Sequence, residues 1–260
     1  MGVVLYKPSY EQLNNLKRYS DISVFERIYV YDNSANEINI GILPSTARYV
    51  FLNGNHGLSR PYNLMIENAE KEGFDFLCIM DQDTIFEEKE IHRIKDYLRT
   101  HRNDLDNVTI VCPNIATCKE DIKRKDSQTF VKWTINSASF LNLKNLKRNS
   151  FSYDENVFLD GVDYEFCMNI RKHNQKILRI DDAYIVQRFG CLTNGSSFAH
   201  HEATRYYYMA RSRQYMYKKH YGVFGSTFAL LLNIRLVGRI LLHEDNKLAK
   251  VKACIKGIFK

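Results

Sequence analysis

The sequence predicts an α/β protein, with a sheet flanked by helices and followed by a helical tail. Three observations point there. Short apolar runs alternate with segments of helical periodicity through the first part of the chain. The run Phe76-Leu77-Cys78-Ile79-Met80 ends in Asp81-Gln82-Asp83, two acids at the carboxyl end of a strand, where open α/β sheets bind ligands. From about Glu202 the pattern turns helical and basic, with Gly222 and Gly225 as its few loop signals.

Taken in order, Gly2 to Tyr6 reads as a first strand and Pro8 marks the turn after it. Ser9 and Gln12 form a capping-box pattern that opens a helix to about Ser20. Arg27 to Tyr31 makes a second strand, and Ala47 to Leu52 a third. Ser59 is placed to cap a helix to about Lys71, with Pro61 tolerated in its first turn. The fourth strand delivers Asp81 and Asp83; a helix near Glu87 to His101 and a strand at Val108 to Cys112 follow. Thr117 to Ser127 is polar, hence a loop, and Val131 to Ile135 and Ser139 to Leu141 are short strands. Tyr164 to His173 is helical in pattern, and Asn174 suits a left-handed stop. Lys176 to Ile180 and Tyr184 to Val186 read as two further short strands. Strands alternating with helices imply parallel pairing with right-handed crossovers. With no repeat and no linker, residues 1–200 form one α/β body and residues 201–260 a helical region packed on it.

Composition narrows the function classes. The 260 residues are 45% hydrophobic and 26% charged, as in soluble globular proteins. No basic-then-apolar leader precedes the first strand, so secretion is not expected. The six cysteines, Cys78, Cys112, Cys118, Cys167, Cys191 and Cys254, show no CxxC pair or zinc spacing and read as buried free thiols. Neither GxGxxG nor GxxxxGK[ST] occurs, so dinucleotide and P-loop chemistry lack support. The eight histidines show no HExxH, and His200-His201 reads as a solvated helix start.

Two acidic clusters carry the chemistry. Unpaired charges at a strand end cost several kcal/mol or more to desolvate, and a divalent cation on carboxylate oxygen is the economical explanation for placing them there. Capping of the following helix by the same acids is equally open from spacing alone. The second cluster, Asp160-Gly161-Val162-Asp163-Tyr164-Glu165, falls at a helix entrance. There acids either complement the macrodipole or supply a general base that faces the first cluster.

Five motifs then follow one another: Asp32-Asn33-Ser34; Asn55 and Gly57 with Asn63; Asp81-Gln82-Asp83-Thr84; Asn136-Ser137-Ala138-Ser139; and Phe158 to Cys167. Arg205-x-Tyr207-Tyr208-x-x-Arg211 comes after them. From about Val3 to Lys219 the chain resembles the family 2 glycosyltransferases, and most of all their bacterial rhamnosyltransferase branch. That resemblance implies a GT-A fold, a Rossmann-like mixed sheet between helices. It implies metal-dependent, inverting transfer of a sugar, rhamnose favoured, from a dTDP- or UDP-sugar to a hydroxyl of a lipid-linked bacterial surface polysaccharide. Mn²⁺ or Mg²⁺ is the implied cofactor, and the inner face of a bacterial plasma membrane the implied location.

By position, Tyr6 and Pro8 match the nucleobase seat, and Asp32 the acid that contacts base or ribose. Asn55, Gly57, Asn63 and Gln82 fall on the donor side, with Asp81 near ribose or sugar and Asp83 as metal ligand. Arg211 is a candidate phosphate partner. Asp163 matches the catalytic base, with Ser137, Asp160 and Glu165 on the acceptor side. Trp133 serves either as a sugar platform or as a core residue. Inversion needs one carboxylate to activate the acceptor hydroxyl and a cation to neutralise the diphosphate on the opposite face. Three positions depart from the family pattern. Gln187 stands where a His is usual, which leaves Gln187 or Arg188 to meet metal or phosphate, and Asn169 and Ala138 replace an Arg and a Gly. A different donor sugar (galactofuranose or an N-acetylhexosamine) and a non-catalytic sugar-nucleotide-binding subunit stay open. A sugar nucleotidyltransferase would need a glycine-rich first loop, which Val4 to Pro8 is not.

The tail has its own signal. Residues 201–260 hold 12 Lys or Arg and 3 Asp or Glu, against +7 for the whole chain, so residues 1–200 are mildly acidic. Val223 to Ile234 is apolar but, with Arg235 and Arg239 after it, too short and charged to span a bilayer. Such a basic amphipathic stretch either lies on an anionic membrane surface or packs as a hairpin on the body. Tyr206 to Tyr208 among arginines lacks any RNP, KH or helix-turn-helix pattern, so nucleic acid is not an expected partner. A homodimer is compatible with the sequence.

Overall fold

The structure, a computed structural model, describes residues 1–21, 24–39, 41, 43, 45–116, 122–187 and 201–260. Arg188, Cys118, Cys191 and His200 lie outside them. The strands are β1 (Gly2–Leu5), β2 (Ile28–Asp32), β3 (Ala47–Phe51), β4 (Phe76–Asp81), β5 (Val108–Ala116), β6 (Gln128–Val131), β7 (Ser139–Asn142) and β8 (Lys176–Val186). Helices α1 (Tyr10–Asp21), α2 (Ser59–Lys71), α3 (Glu88–Thr100), α4 (Leu143–Asn149) and α5 (Val162–Lys172) intervene. Helices α6 (Ala203–His243) and α7 (Lys247–Ile258) end the chain.

All eight strands join one sheet in the order β3-β2-β1-β4-β7-β5-β8-β6. Alternation along each strand sends side chains to opposite faces. Val3, Leu5, Cys78 and Met80 pack with Leu13 and Leu16 of α1 and Ile91 and Ile94 of α3. Val4, Leu77 and Ile79 pack with Tyr62, Met65 and Ile66 of α2 and Phe166 of α5. Burial on both faces is what makes these strands read as continuous apolar runs.

Pairing is mixed rather than all parallel. The strands β3, β2, β1 and β4 run parallel, but β7 enters antiparallel between β4 and β5, and β6 is antiparallel to β8. Four local expectations are revised. β6 begins at Gln128, three residues before Val131, and Ile135 lies outside it. The two short strands after α5 are one, β8, with a register shift opposite Pro113/Asn114. There buried Asp181 is satisfied within the strand's surroundings by Ser127 (2.8 Å), Thr129 (2.6 Å) and Arg179 (2.6 Å). Ser59 is not the cap of α2, because its hydroxyl donates to the Val157 carbonyl at 2.7 Å and Leu58 occupies the cap position. By length and composition α6 is apolar enough to cross a membrane, contrary to the reading of its second part as too short and charged.

The α6 helix is, however, broken at Gly222 (φ 64°, ψ −142°), and the chain folds back on itself. Gln214 meets Ser226 (3.1 Å), Arg213 meets Asn233 (2.9 Å) and Tyr206 meets Glu244 (2.5 Å), so the two limbs are antiparallel. The tail therefore folds as a helical hairpin. α7 closes on the hairpin around Tyr206, Ala210, Leu236, Ile240 and Cys254. The capping box at Ser9 and Gln12 forms as expected (2.7 and 3.3 Å), and Asn174 takes the left-handed conformation (φ 60°). Cys78, Cys112, Cys167 and Cys254 are buried and free.

Candidate active site

The carboxyl ends of β1, β2 and β4 converge because these strands are parallel and in register, with Leu5 beside Asp32 and Val4 beside Asp81. β7 runs the other way, so the loop that enters it, residues 136–138, arrives at that same edge. Ser137 there donates to the Asp81 carboxylate at 2.6 Å and meets Thr84 Oγ1 at 2.6 Å. Thr84 in turn donates to Gln187 Oε1 at 3.0 Å, which ties the end of β8 to the Asp81–Asp83 turn.

Three acids gather here. Asp81 and Asp163 are both half-buried. Burial pushes the Asp81 carboxyl up; its Ser137 hydrogen bond opposes this and the nearby Asp83 charge adds to it. Burial, reinforced by the charges of Asp81 and Asp160, raises Asp163 to about 6, although the Tyr164 N–H donates to Asp163 at 2.8 Å. A carboxylate poised there is suited to accept a proton near neutral pH. Asp83 is exposed and has neither hydrogen bond nor ion pair among the described residues. Buried Tyr62 lies near Asp81, whose charge helps to raise its hydroxyl, and Tyr153, at 5.1 Å from the Tyr62 ring, donates to Asn136 at 2.8 Å. These tyrosines escape a reading of the sequence, since nothing marks them among the 17 tyrosines of the chain.

The donor-side residues fall into two groups. Gln82 pairs through its amide with both backbone groups of Tyr6 (2.8 and 3.3 Å), so the two form one ledge, with the Tyr6 ring exposed and Pro8 half-buried. Asn55 accepts from the Gly57 N–H at 3.0 Å, and Gly57 (φ +74°) stands so close to Phe158 that any Cβ would strike that residue's carbonyl. The remaining two are spent inside the protein. Asp32 is fully buried and accepts from Ser34 N and the Tyr49 hydroxyl, each at 2.8 Å. Asn63 clamps Tyr153 through both its amide groups (2.9 and 2.8 Å). Asn33, the middle of the Asp32-Asn33-Ser34 motif, spans the loop by donating to Gly57 O at 2.6 Å and accepting from His56 N at 3.3 Å.

On the other side, Trp133 is exposed rather than in the core. Asp160 accepts from Arg205 at 3.2 Å while its second oxygen is buried without a partner, and burial raises its carboxyl. It lines a cavity of about 360 Å³ with Gly161, Tyr164, Met209, Arg213 and Met216. Glu165 lies apart from this cavity, buried, ion-paired to Lys219 (2.6 Å) and hydrogen-bonded to His220 (3.0 Å) of α6. Arg211 reaches the Asn156 carbonyl at 3.4 Å. Ala138 is held at φ +57°, a conformation that favours glycine.

At this corner Asp83 presents carboxylate oxygen and Gln187 an amide oxygen, donor types that a hard cation takes, in a cavity of about 510 Å³ that Lys89, Arg124 and Tyr184 also line. Among the described residues no three His, Cys, Asp or Glu converge as a metal cage. Mg²⁺-type sites that serve phosphates commonly take one or two carboxylates and complete their shell with phosphate oxygens and water.

Residues 10–162 match the model of glycosyl transferase family 2. No curated protein matches the chain by sequence. By structure the chain is similar to TarS 1–349 of S. aureus, with TM-score 0.58 and 11% identity over 99% of this chain and 79% of that one. The crystal structure of TarS 1–349 in complex with UDP-GlcNAc gives TM-score 0.57 and 13% identity over 99% and 81%. The complex with UDP gives TM-score 0.50 and 12% identity over 94% and 73%. At such identities the likeness speaks to the fold.

Proposed function

The chain belongs to glycosyl transferase family 2, and we propose that it is an inverting transferase of the rhamnosyltransferase branch, taking its sugar from a dTDP- or UDP-linked donor. The observation that carries this reading is Asp163, raised to about 6 and close to the charge of Asp81, with Asp83 beside it free of hydrogen bond or ion pair among the described residues. The donor lies over the carboxyl ends of β1, β2 and β4, its base near the Tyr6–Gln82 ledge and its diphosphate toward Asp83. Asp163 accepts the proton of the acceptor hydroxyl as that oxygen bonds the anomeric carbon and the bond to the diphosphate breaks. The positive charge that develops on the sugar ring falls among Asp81 and Asp163. Mn²⁺ or Mg²⁺ on Asp83, with Gln187 near, would neutralise the departing diphosphate. Asp32, Asn33 and Asn63 act by shaping the loops around the donor.

The acceptor in this reading is a saccharide carried on a lipid at the inner face of a bacterial plasma membrane. The cavity lined by Asp160, Gly161 and Tyr164 is assigned to it, because it lies at the α5 entrance that carries Asp163. UDP-GlcNAc, the ligand of the similarly folded TarS complex, favours a second reading in which the donor is a UDP-linked N-acetylhexosamine. Calorimetric titration of dTDP, UDP, dTDP-rhamnose and UDP-GlcNAc with and without Mn²⁺ tests both. Metal-dependent binding of a dTDP or UDP species supports the reading, and the tightest sugar decides between donors. No binding of any of them overturns it.

A further inference from the structure

The second limb of α6 buries one face and leaves the other bare. Gly225, Ala229, Asn233, Leu236 and Ile240 are buried at helical spacing. Phe224 (89% exposed), Leu231 (60%) and Leu242 (75%) project away from that face. In α7, Lys250, Cys254 and Gly257 are buried, while Leu248 (84%) and Phe259 (81%) are bare. Soluble proteins rarely present so much contiguous apolar surface without a partner.

The charge around these stripes has one sign. Residues 203–243 contain no Asp or Glu. Of the two acids that follow, Glu244 is buried against Tyr206 and Lys250, and Asp245 is ion-paired to Lys250. Arg235, Lys252 and Lys256 form no ion pair among the described residues. A second copy of the chain on this face would set cations against cations in a two-fold contact. Negative headgroups over acyl chains complement both the charge and the apolar stripes.

We propose that the outer faces of α6 and α7 are a docking surface for an anionic lipid bilayer, with the helices lying in the headgroup plane. The first limb of α6, which supports this face, also lines the cavity beside Asp160 through Met209, Arg213 and Met216. Docking therefore brings the membrane to the acceptor side of the site. The surface stands on its own geometry and borrows from the proposed function only the lipid-linked acceptor.

The test is co-sedimentation of the full chain with vesicles of phosphatidylcholine alone and of phosphatidylcholine mixed with phosphatidylglycerol. Binding is expected to the anionic vesicles and to weaken with salt. A Phe224→Ser/Leu231→Ser/Leu242→Ser variant should bind roughly ten-fold less or worse, with a melting temperature close to wild type because these side chains are mostly exposed. Arg235→Gln/Lys252→Gln/Lys256→Gln should lose the preference for phosphatidylglycerol. Failure to bind anionic vesicles, or binding that ignores the apolar variant, overturns the proposal. So does sedimentation showing an oligomer that the apolar variant dissolves, since a second copy then covers the face. Donor titration without lipid is read separately, so vesicle binding without donor binding refutes only the transferase reading.

Discussion

Replacing Asp163 by Asn separates what the carboxylate does for catalysis from what it costs the fold. The group is raised from 3.8 to about 6 by burial and by the charges of Asp81 and Asp160. Two pKa units at 1.36 kcal/mol each amount to about 3 kcal/mol against the ionised form. The sign follows from linkage. Because the folded pKa exceeds the unfolded one, the stabilisation from protonation is complete below about 4 and is lost as pH rises through about 6. Asp163→Asn should thus be more stable than wild type by up to about 3 kcal/mol near pH 8, and the gap should close near pH 4. Urea unfolding at both pH values measures it. Turnover should fall about 10²–10⁴-fold with donor affinity kept, and wild-type turnover should rise with pH through about 6. A variant whose stability tracks wild type across this window, or which still transfers sugar at the wild-type rate, would refute the reasoning.

Asp83→Ala should abolish metal-dependent donor binding; equal affinity with and without chelator, in wild type as in the variant, removes the metal from the reading. Glu165→Ala leaves buried His220 without this partner while Lys219 keeps Asp154 (2.6 Å), and should cost about 1–3 kcal/mol in urea unfolding with donor affinity unchanged. An altered acceptor KM with native stability would instead return Glu165 to the acceptor side.

Where local chemistry decides structure, the sequence is legible. Ser9 and Gln12 can satisfy each other's N–H groups only in one geometry, and they do so. Asp81 and Asp83 stand out because a buried strand tolerates charges only at its end. Orientation and competition for partners are another matter. Phe140-Leu141 reads the same in either direction, so the reversal of β7 is invisible until its neighbours are known. Asp181-Asp182 looks like a break between strands because Ser127, Thr129 and Arg93, which satisfy the two acids, are distant in sequence. Ser59, Asn63 and Glu165 carry the right functional groups, but Val157, Tyr153 and α6 engage them first.

The reversal of β7 has a consequence for how such a protein can change its substrate. In a wholly parallel sheet each strand offers the site only the loop that leaves it, and that loop must also begin the next crossover helix. β7 offers instead the loop by which it is approached, and its departing end runs into α4 at the far edge of the sheet. Residues 132–138 are thereby freed from starting a helix. Lys132 and Trp133, the exposed start of that loop, can be exchanged while buried Asn136, Ser137 and Ala138 hold the layer beneath in register.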